Sequence, residues 1–596
     1  MNQTFKLLII VFCLLLGKPS YSQIDNSGPY KKYLSYKDVV KELRVVAKSN
    51  SKLSIENLAI SAGDNPVVLF KAMSGKKNPA IFVSANLSGV LPIATSGALY
   101  LAAYLSKKPE LYKDYTWYIL PCGNPDALIS DLKSTSGPYN ATAVNNDMDE
   151  KTDEDGFDDL NKDGIYSAMR VQDPLGKYMI DKKNPRLLKK ASTETPSSKR
   201  YSLYTEGLDN DGDGLFNEDG KGGVNISRTF PYNFEYYKPE NGKWSGKEAE
   251  TRAILDFFSE HPEICATVTI GSSDFLRSDF IPVKKDAKAN AYSPPKWLAN
   301  NLSIDAKQKY TLERLVELLN ADRVDNMVDE LYVLSIMKKE PLKSPLSQDG
   351  NDYKTIATSF KEFVKKDSSA LAFIDSEKPS NGSFELWSYY HLGLPSIAIR
   401  LWDIPNLTSD TGKVAKKQKK LNREQSFLIY NDSLLNGKGF TEWTGMSHPD
   451  FDKSEIGGIN KNYMYNPDES GILPALEKQI PWITTLPEML PEIVVDSIHS
   501  KAVGKSTYQI EAFVKNKGKL AAPFFIGAFN RKPAPIILTV NDDITVLEGS
   551  KRTLIKRIEA GKVIKVNYLI STKKSEITFK FEAKNVKTSS SSFKIK

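Results

Sequence analysis

Between residues 35 and 130 the apolar positions change period several times. Tyr36 to Lys48 carries apolar side chains three and four residues apart, which predicts a helix with one buried stripe. AIFVSAN, residues 80 to 86, is an unbroken apolar run of strand length, as a strand buried on both faces requires. Pro92 then opens a helical stretch through Leu105, since proline suits a first helical turn. TWYILPC, residues 116 to 122, is a second buried strand and ends in the turn Gly123-Asn124-Pro125-Asp126. The alternation predicts an α/β sheet core. It resumes further on, with a helix from Lys247 to Ser259 and a strand in CATVTI, 265 to 270. Helical stretches follow at 300 to 338 and 355 to 366, then the strand PSIAIRLW at 395 to 402. Residues 410 to 425 are a lysine-rich surface segment, and Ile472 to Leu486 is a closing helix ended by Pro487 or Pro491.

From about Glu492 the period becomes two. STYQIEAFVKN, PIILTV, KVIKVNYLI and SEITFKFEA alternate apolar and polar residues between turns, which predicts an all-β sandwich over residues 490–596. The segment 492–596 holds 20 Lys and Arg against 9 Asp and Glu, a net of +11. The whole chain is +8, so the remainder is slightly acidic, and the total is too modest to point to nucleic acid.

The N-terminus has its own pattern. Lys6 precedes an apolar run from Leu7 to Leu16, and Ser20-Tyr21-Ser22 supplies small residues before Gln23. Residues 1–22 therefore read as a secretory signal peptide, with a secreted or periplasmic mature protein. Ten apolar residues are too few to span a membrane, and no later run is long enough. Bulky Phe12 before Cys13 argues against a lipoprotein cysteine. Cys122 and Cys265 are left after cleavage, and either one bridge or two buried thiols fits.

Residues from about 140 to 222 interrupt the α/β pattern with Asp, Asn, Gly and Lys. DNDGDGLFNED, 209 to 219, places Asp209, Asp211 and Asp213 at alternate positions before Gly214, with Glu218 beyond. Asp159, Asn161 and Asp163 before Gly164 repeat the pattern. Asn145, Asp147 and Asp149 repeat it less well, since Glu150 replaces the glycine. Alternating oxygen ligands and a turn glycine suit calcium, although the glutamate of an EF-hand is missing at position 12. Residues 145 to 163 hold nine acids and two lysines, a density that favours a cation; a solvated acidic loop is the other reading.

GGVNISRTFPYNF follows at 222 to 234. With NPDA at 124 to 127, DEDGFDDLNKDGIYSAMRVQDPLG at 153 to 176, YYHLGLPSIAIRLWD at 389 to 403 and HPDFDKSEIGGIN at 448 to 460, the chain resembles the secreted zinc carboxypeptidases of the carboxypeptidase A-like family. The resemblance implies a carboxypeptidase-like α/β fold over residues 30–486, a mixed, mostly parallel sheet flanked by helices. It also implies zinc at the C-terminal strand ends, held by His-x-x-Glu and a second His, with a Glu as general base. In this sequence those zinc positions fall on Ser88, Leu91 and Gly271, and the base position on Arg400. Arginine cannot take a proton at neutral pH. None of His261, His391, His448 and His499 forms a His-x-x-Glu pair. The Asn-Arg pair that grips a substrate carboxylate in the family reads Ser227-Arg228 here. Arg228, Arg277 and Arg400 are candidates for one cationic pocket; the alternative is that Arg400 forms an internal ion pair.

Two readings follow. In the first the protein has lost catalysis and binds peptide or another anion, with the basic sandwich facing acidic glycans or the envelope. In the second it is an active metallocarboxypeptidase releasing C-terminal residues, which the changed positions oppose. A hydrolase built on Ser88 would need a histidine base, and its motif offers none.

Overall fold

A computed structural model describes residues 28–75, 78–134, 137–145, 151–217, 219–277, 291–321, 328, 332–333, 336–337, 349–365, 378–405 and 421–595. The segment 1–22 read as a signal peptide and most of the lysine-rich segment 410–425 lie outside them.

The first helix, Tyr36–Lys48, is capped by the Ser35 side chain, which accepts from Asp38 N at 3.2 Å, and buries Tyr36, Val39, Val40 and Leu43. Strands β1 (Leu53–Ile60), β2 (Pro66–Ala72) and β3 (Ala80–Ala85) follow, then the helix Pro92–Ser106, β4 (Thr116–Leu120) and the helix Pro125–Ser134. The insertion contributes β5 (Ala168–Gln172), β6 (Tyr178–Ile180), β7 (Leu188–Lys190) and β8 (Tyr201–Thr205). After the helix Ala249–Glu260 come β9 (Ile264–Ile270), the short pair β10 (Ala291–Tyr292) and β11 (Tyr310–Thr311), and β12 (Ser396–Ile399). Strands β13 (Phe440–Met446) and β14 (Ser454–Ile459) precede the helix Glu469–Ile483.

The central sheet runs β1-β2-β4-β3-β9-β12. Its first three strands pair antiparallel, and β4, β3, β9 and β12 are parallel. Every residue of β3, β4 and β9 is buried, which is why these segments read as continuous apolar runs. Phe82 on β3 meets Phe258 and Phe384 at ring centroid distances of 4.8 and 5.8 Å, joining sheet to helices.

The residues at 300–338 depart from the expected single helix. Among the described residues, the continuous helices are Lys296–Asn301 and Leu312–Asn320, with helical residues again at 332–333 and 336. Ser303 has a φ of 52°, which a right-handed helix does not accommodate, and Tyr310–Thr311 pairs with Ala291–Tyr292 instead. The closing helix begins at Glu469 rather than Ile472. The acidic insertion is more ordered than a run of loops, because β5 to β8 join β13 and β14 in a second sheet, ordered β13-β14-β5-β8-β6-β7.

The C-terminal region stacks two sheets, as its period-two pattern predicted. One is β18-β20-β16-β15-β22, the other β19-β17-β21-β23. Their strands are β15 (Glu492–Gly504), β16 (Thr507–Asn516), β17 (Ile536–Val540), β18 (Thr545–Glu548), β19 (Arg552–Ile555), β20 (Val563–Ser571), β21 (Glu576–Glu582), β22 (Lys587–Thr588) and β23 (Ser591–Lys594). Ile510, Val514, Leu538, Ile570 and Phe579 fill the space between them.

The sandwich is fastened to the α/β domain by a buried carboxylate. Asp349 is fully buried and accepts from Phe525 N at 2.6 Å, Ile526 N at 3.2 Å and the Tyr389 hydroxyl at 2.8 Å. Asp352 accepts from Ala521 N at 2.8 Å beside it. Removing the Asp349 carboxylate leaves these donors without their acceptor. Asp349→Ala is expected to lower stability by about 2–4 kcal/mol, read as a drop in the urea midpoint at unchanged slope.

Candidate functional site

In an α/β sheet ligands collect beyond the carboxyl ends of the parallel strands. At the end of β3 the chain turns through Asn86, whose φ of 49° lies in the left-handed region that asparagine tolerates. Its Oδ1 accepts from Leu91 N at 2.9 Å, and its Nδ2 donates to Gly89 O and Thr95 Oγ1, both at 3.0 Å. These bonds fold residues 86–91 into a fixed turn, with Ser88 partly exposed and Leu91 buried. Gly271 ends β9, and its N–H donates to Ile399 O at 3.1 Å. Arg400 ends β12 and is 4% exposed. The neighbouring strand order brings Ser88, Leu91, Gly271 and Arg400 to one edge of the sheet. Ser88, Leu91 and Gly271 offer one hydroxyl and no nitrogen, sulfur or carboxylate, so these three side chains do not fit a zinc ion.

The charge at this edge is met from within. Arg400 Nη2 donates to Asp403 Oδ1 at 2.9 Å and its Nε to Trp402 O at 3.0 Å. Asp403, almost fully buried, also pairs with Arg423 at 2.8 Å. Asp274 accepts from Leu276 N and Arg277 N at 2.9 and 2.8 Å and from Arg400 N at 3.2 Å. Arg277 pairs with Asp274, donates to Gln479 Oε1, and reaches Arg400 O at 3.0 Å. Burial pulls the Arg277 guanidinium below its ordinary range, against the opposing charge of Asp274. Arg277 and Arg400 therefore share one inward-turned network. Arg228 stands in a separate pairing, with Glu240 at 3.6 Å, and is about a third exposed.

Sequence reasoning missed Asp274, Asp403, Arg423 and Gln479. Two of them were visible: Asp274 and Asp403 each stand three residues from an arginine singled out above. Gln479 reaches across from the helix Glu469–Ile483, which nothing local in the sequence announces.

The NPDA turn is structural. Asn124 accepts from Ala127 N at 3.1 Å at the start of the helix Pro125–Ser134. Asp126 accepts from Gly63 N at 2.9 Å, Asn65 Nδ2 at 2.8 Å and Ala141 N at 3.1 Å. Beside it lies a cleft of about 600 Å³ lined by Tyr139, Asn140, Gly222 and Glu240.

The two better acidic loops fold alike. Asp209 accepts from Gly212 N and Gly214 N at 2.6 and 2.9 Å, and Asp159 from Asp163 N and Gly164 N at 3.0 and 2.8 Å. Fourth and sixth positions are left-handed in both: Gly212 and Gly214 at 84° and 88°, Lys162 and Gly164 at 60° and 83°. Oxygens of Asp209, Asp211 and Asp213 lie within 4.8 Å of one another. Asn161 donates its side chain to Asp163 at 3.1 Å, and Asn145 is described and partly buried. Asp147, Asp149 and Glu218 lie outside the described residues.

His448 is buried, with Nε2 3.0 Å from Gly207 O and Nδ1 accepting from Asp450 N at 3.2 Å, contacts that fix the ring's orientation. Cys122 and Cys265 are both free and buried, and burial pushes the Cys122 thiol up to about 12.

The zinc carboxypeptidase family matches residues 32–167, and a family described as a domain of unknown function matches residues 492–594. The α/β domain is carboxypeptidase-like. Among solved structures, the chain is similar to bovine thrombin-activatable fibrinolysis inhibitor in complex with tick carboxypeptidase inhibitor, at 11% identity over 77% of this chain and 97% of that one, with a TM-score of 0.36. It is similar to carboxypeptidase A from Helicoverpa armigera, at 14% identity over 50% and 61% of the two chains, with a TM-score of 0.27. No curated protein matches the sequence. In the carboxypeptidase-like domain and the sandwich alike, no helix among the described residues is long and apolar enough to cross a membrane.

Two predictions come from this geometry. Asp403→Ala leaves two guanidinium groups without a shared carboxylate and is expected to cost about 3–5 kcal/mol, measured by urea unfolding. Asp131 lines a second cleft, beside Pro92; burial raises its carboxyl to about 7, and its Oδ2 has no hydrogen-bond partner. The folded state thus holds this proton over a range where the unfolded chain has released it, so the group costs stability as pH rises from its unfolded value towards about 7. Asp131→Asn is expected to flatten that fall, seen as a smaller decline in melting temperature between acid and neutral buffer.

Proposed function

We propose that the protein is a carboxypeptidase-like binding protein that has lost catalysis. The observation that carries this reading is Arg400. It occupies the place the resemblance assigns to the general base, and its guanidinium is committed to Asp403. A group that holds its proton throughout the neutral range and is pinned inward cannot activate water. Ser88, Leu91 and Gly271 beside it supply no zinc ligand set.

The ligand is a peptide or another small anion, with Arg228 as its cationic contact. Of the three arginines singled out by sequence, Arg228 is the one whose side chain is substantially open to solvent. Its partner Glu240 lines the 600 Å³ cleft, so an incoming carboxylate would compete with Glu240 for the same guanidinium. Calcium is the metal of this protein, held by Asp209, Asp211, Asp213 and Glu218, by Asp159, Asn161 and Asp163, and more weakly by Asn145, Asp147 and Asp149. Its role is to brace the insertion. The chain is exported, and the basic sandwich faces acidic glycans or the envelope.

Plasma mass spectrometry after dialysis against zinc and calcium tests the reading. Bound calcium with no zinc is expected, together with no zinc-dependent release of C-terminal residues from peptides. Stoichiometric zinc accompanied by such release would overturn it. Arg228→Ala is expected to weaken binding of C-terminal-carboxylate peptides about tenfold by calorimetry, with the unfolding midpoint unchanged.

A further inference from the structure

The seam between the α/β domain and the sandwich encloses a cavity of about 490 Å³, within the size range of small-molecule sites. It lies at the opposite end of the central sheet from Arg400. Tyr115, Cys265 and Pro395, which line it, stand at the amino ends of β4, β9 and β12. Its walls are apolar, from Leu394, Leu490, Phe524 and Val586.

Two polar groups open into this apolar space. Asn585 is 4% exposed, and its Oδ1 has no hydrogen-bond partner. Asn585 lines the cavity, and its amide carries N–H groups able to donate to a ligand carboxylate. The Tyr115 hydroxyl, on a residue 4% exposed, has no hydrogen-bond partner among the described residues. The rim is cationic. Arg531, Lys532 and Lys556 are exposed and form no ion pair among the described residues, and Lys587 is held by Asp114 at 3.1 Å and Glu492 at 3.7 Å. Leu554, 55% exposed on the edge strand β19, extends the apolar wall to the mouth.

We infer that this interdomain cavity binds an elongated apolar molecule bearing one carboxylate, the chain seated against the proline-rich and aliphatic walls and the carboxylate met by Arg531, Lys556 and the Asn585 amide. Three uncompensated cations around an apolar void select an anion over a neutral or cationic amphiphile.

The test is calorimetry on the full chain with sodium decanoate as probe and decyltrimethylammonium as the cationic control. Saturable binding of decanoate is expected, at least about tenfold tighter than the control. Ala534→Trp, which places an indole in the cavity, should abolish it. The double variant Arg531→Glu with Lys556→Glu alters exposed residues only and should weaken it about tenfold while leaving the circular dichroism spectrum and melting temperature unchanged. Absence of saturable heat with the native chain overturns the inference, as does equal affinity for the cationic control. Binding to phosphatidylglycerol vesicles without binding to free decanoate would also overturn it, since the cations would then serve a membrane surface.

Discussion

The α/β domain turns on how it meets the charge at the carboxyl ends of β9 and β12. Arg400 enters a nearly solvent-free site directly after a buried strand, and a lone guanidinium there would cost several kcal/mol. Asp403 answers it from three residues on, Arg423 shares that carboxylate from the helix Arg423–Leu434, and Asp274 bridges the backbone of Arg400 to the side chain of Arg277. Gln479 completes the set, accepting from Arg277 and donating to Leu401 O at 2.6 Å. Buried pairs of this kind roughly break even against apolar packing unless every remaining donor finds a partner. Here the network draws partners from two helices, which fixes where the helices sit, although Arg423 Nε is left without one.

Much of this was legible in the chain. β3, β4, β9 and β12 showed as apolar runs because both faces are covered, and the period-two strands of the sandwich showed because one face is not. The arginines and the positions Ser88, Leu91 and Gly271 were singled out through the family resemblance. What local pattern did not reveal was direction. Sequence left Arg400 open between lining a pocket and pairing internally, and its commitment to Asp403 depends on a turn of the chain after β12 that no periodicity encodes. The insertion strands β5 to β8 were hidden for a related reason. They are only three to five residues long, and the sheet forms because β14 arrives from residues 454–459 to pair with β5.

The insertion shows the opposite economy of charge. Asp159 and Asp209 each turn their oxygens onto backbone N–H groups of their own loop, which need left-handed residues at the fourth and sixth positions to point inward. The two loops then interlock: Asp155 accepts from Asn210 N at 3.2 Å and Asn217 N at 2.6 Å, while Glu206 accepts from Asn161 N at 3.1 Å and Ser167 N at 3.0 Å. Buried carboxylates therefore serve as the internal frame, and the outward ones stay clustered. That division explains how so many acids fold beside one another, with the repulsion concentrated on the face where a cation would relieve it.

The seam with the sandwich has a different logic again. Gly527 and Gly393 meet backbone to backbone, and a Cβ on Gly527 would stand 2.7 Å from Gly393 O and 2.6 Å from Lys532 O, so any larger residue would push the two domains apart. Asp349 and Asp352 hold the facing turn from the other side. With separation set at these two points, the surfaces between them leave a cavity lined by Leu394, Phe524 and Val586. Close-packed interiors rarely leave such space. A void bounded by two rigid contacts and rimmed by unpaired cations is a shape the fold maintains at a cost, and a ligand that fills it would recover both the lost contacts and the missing counter-charge.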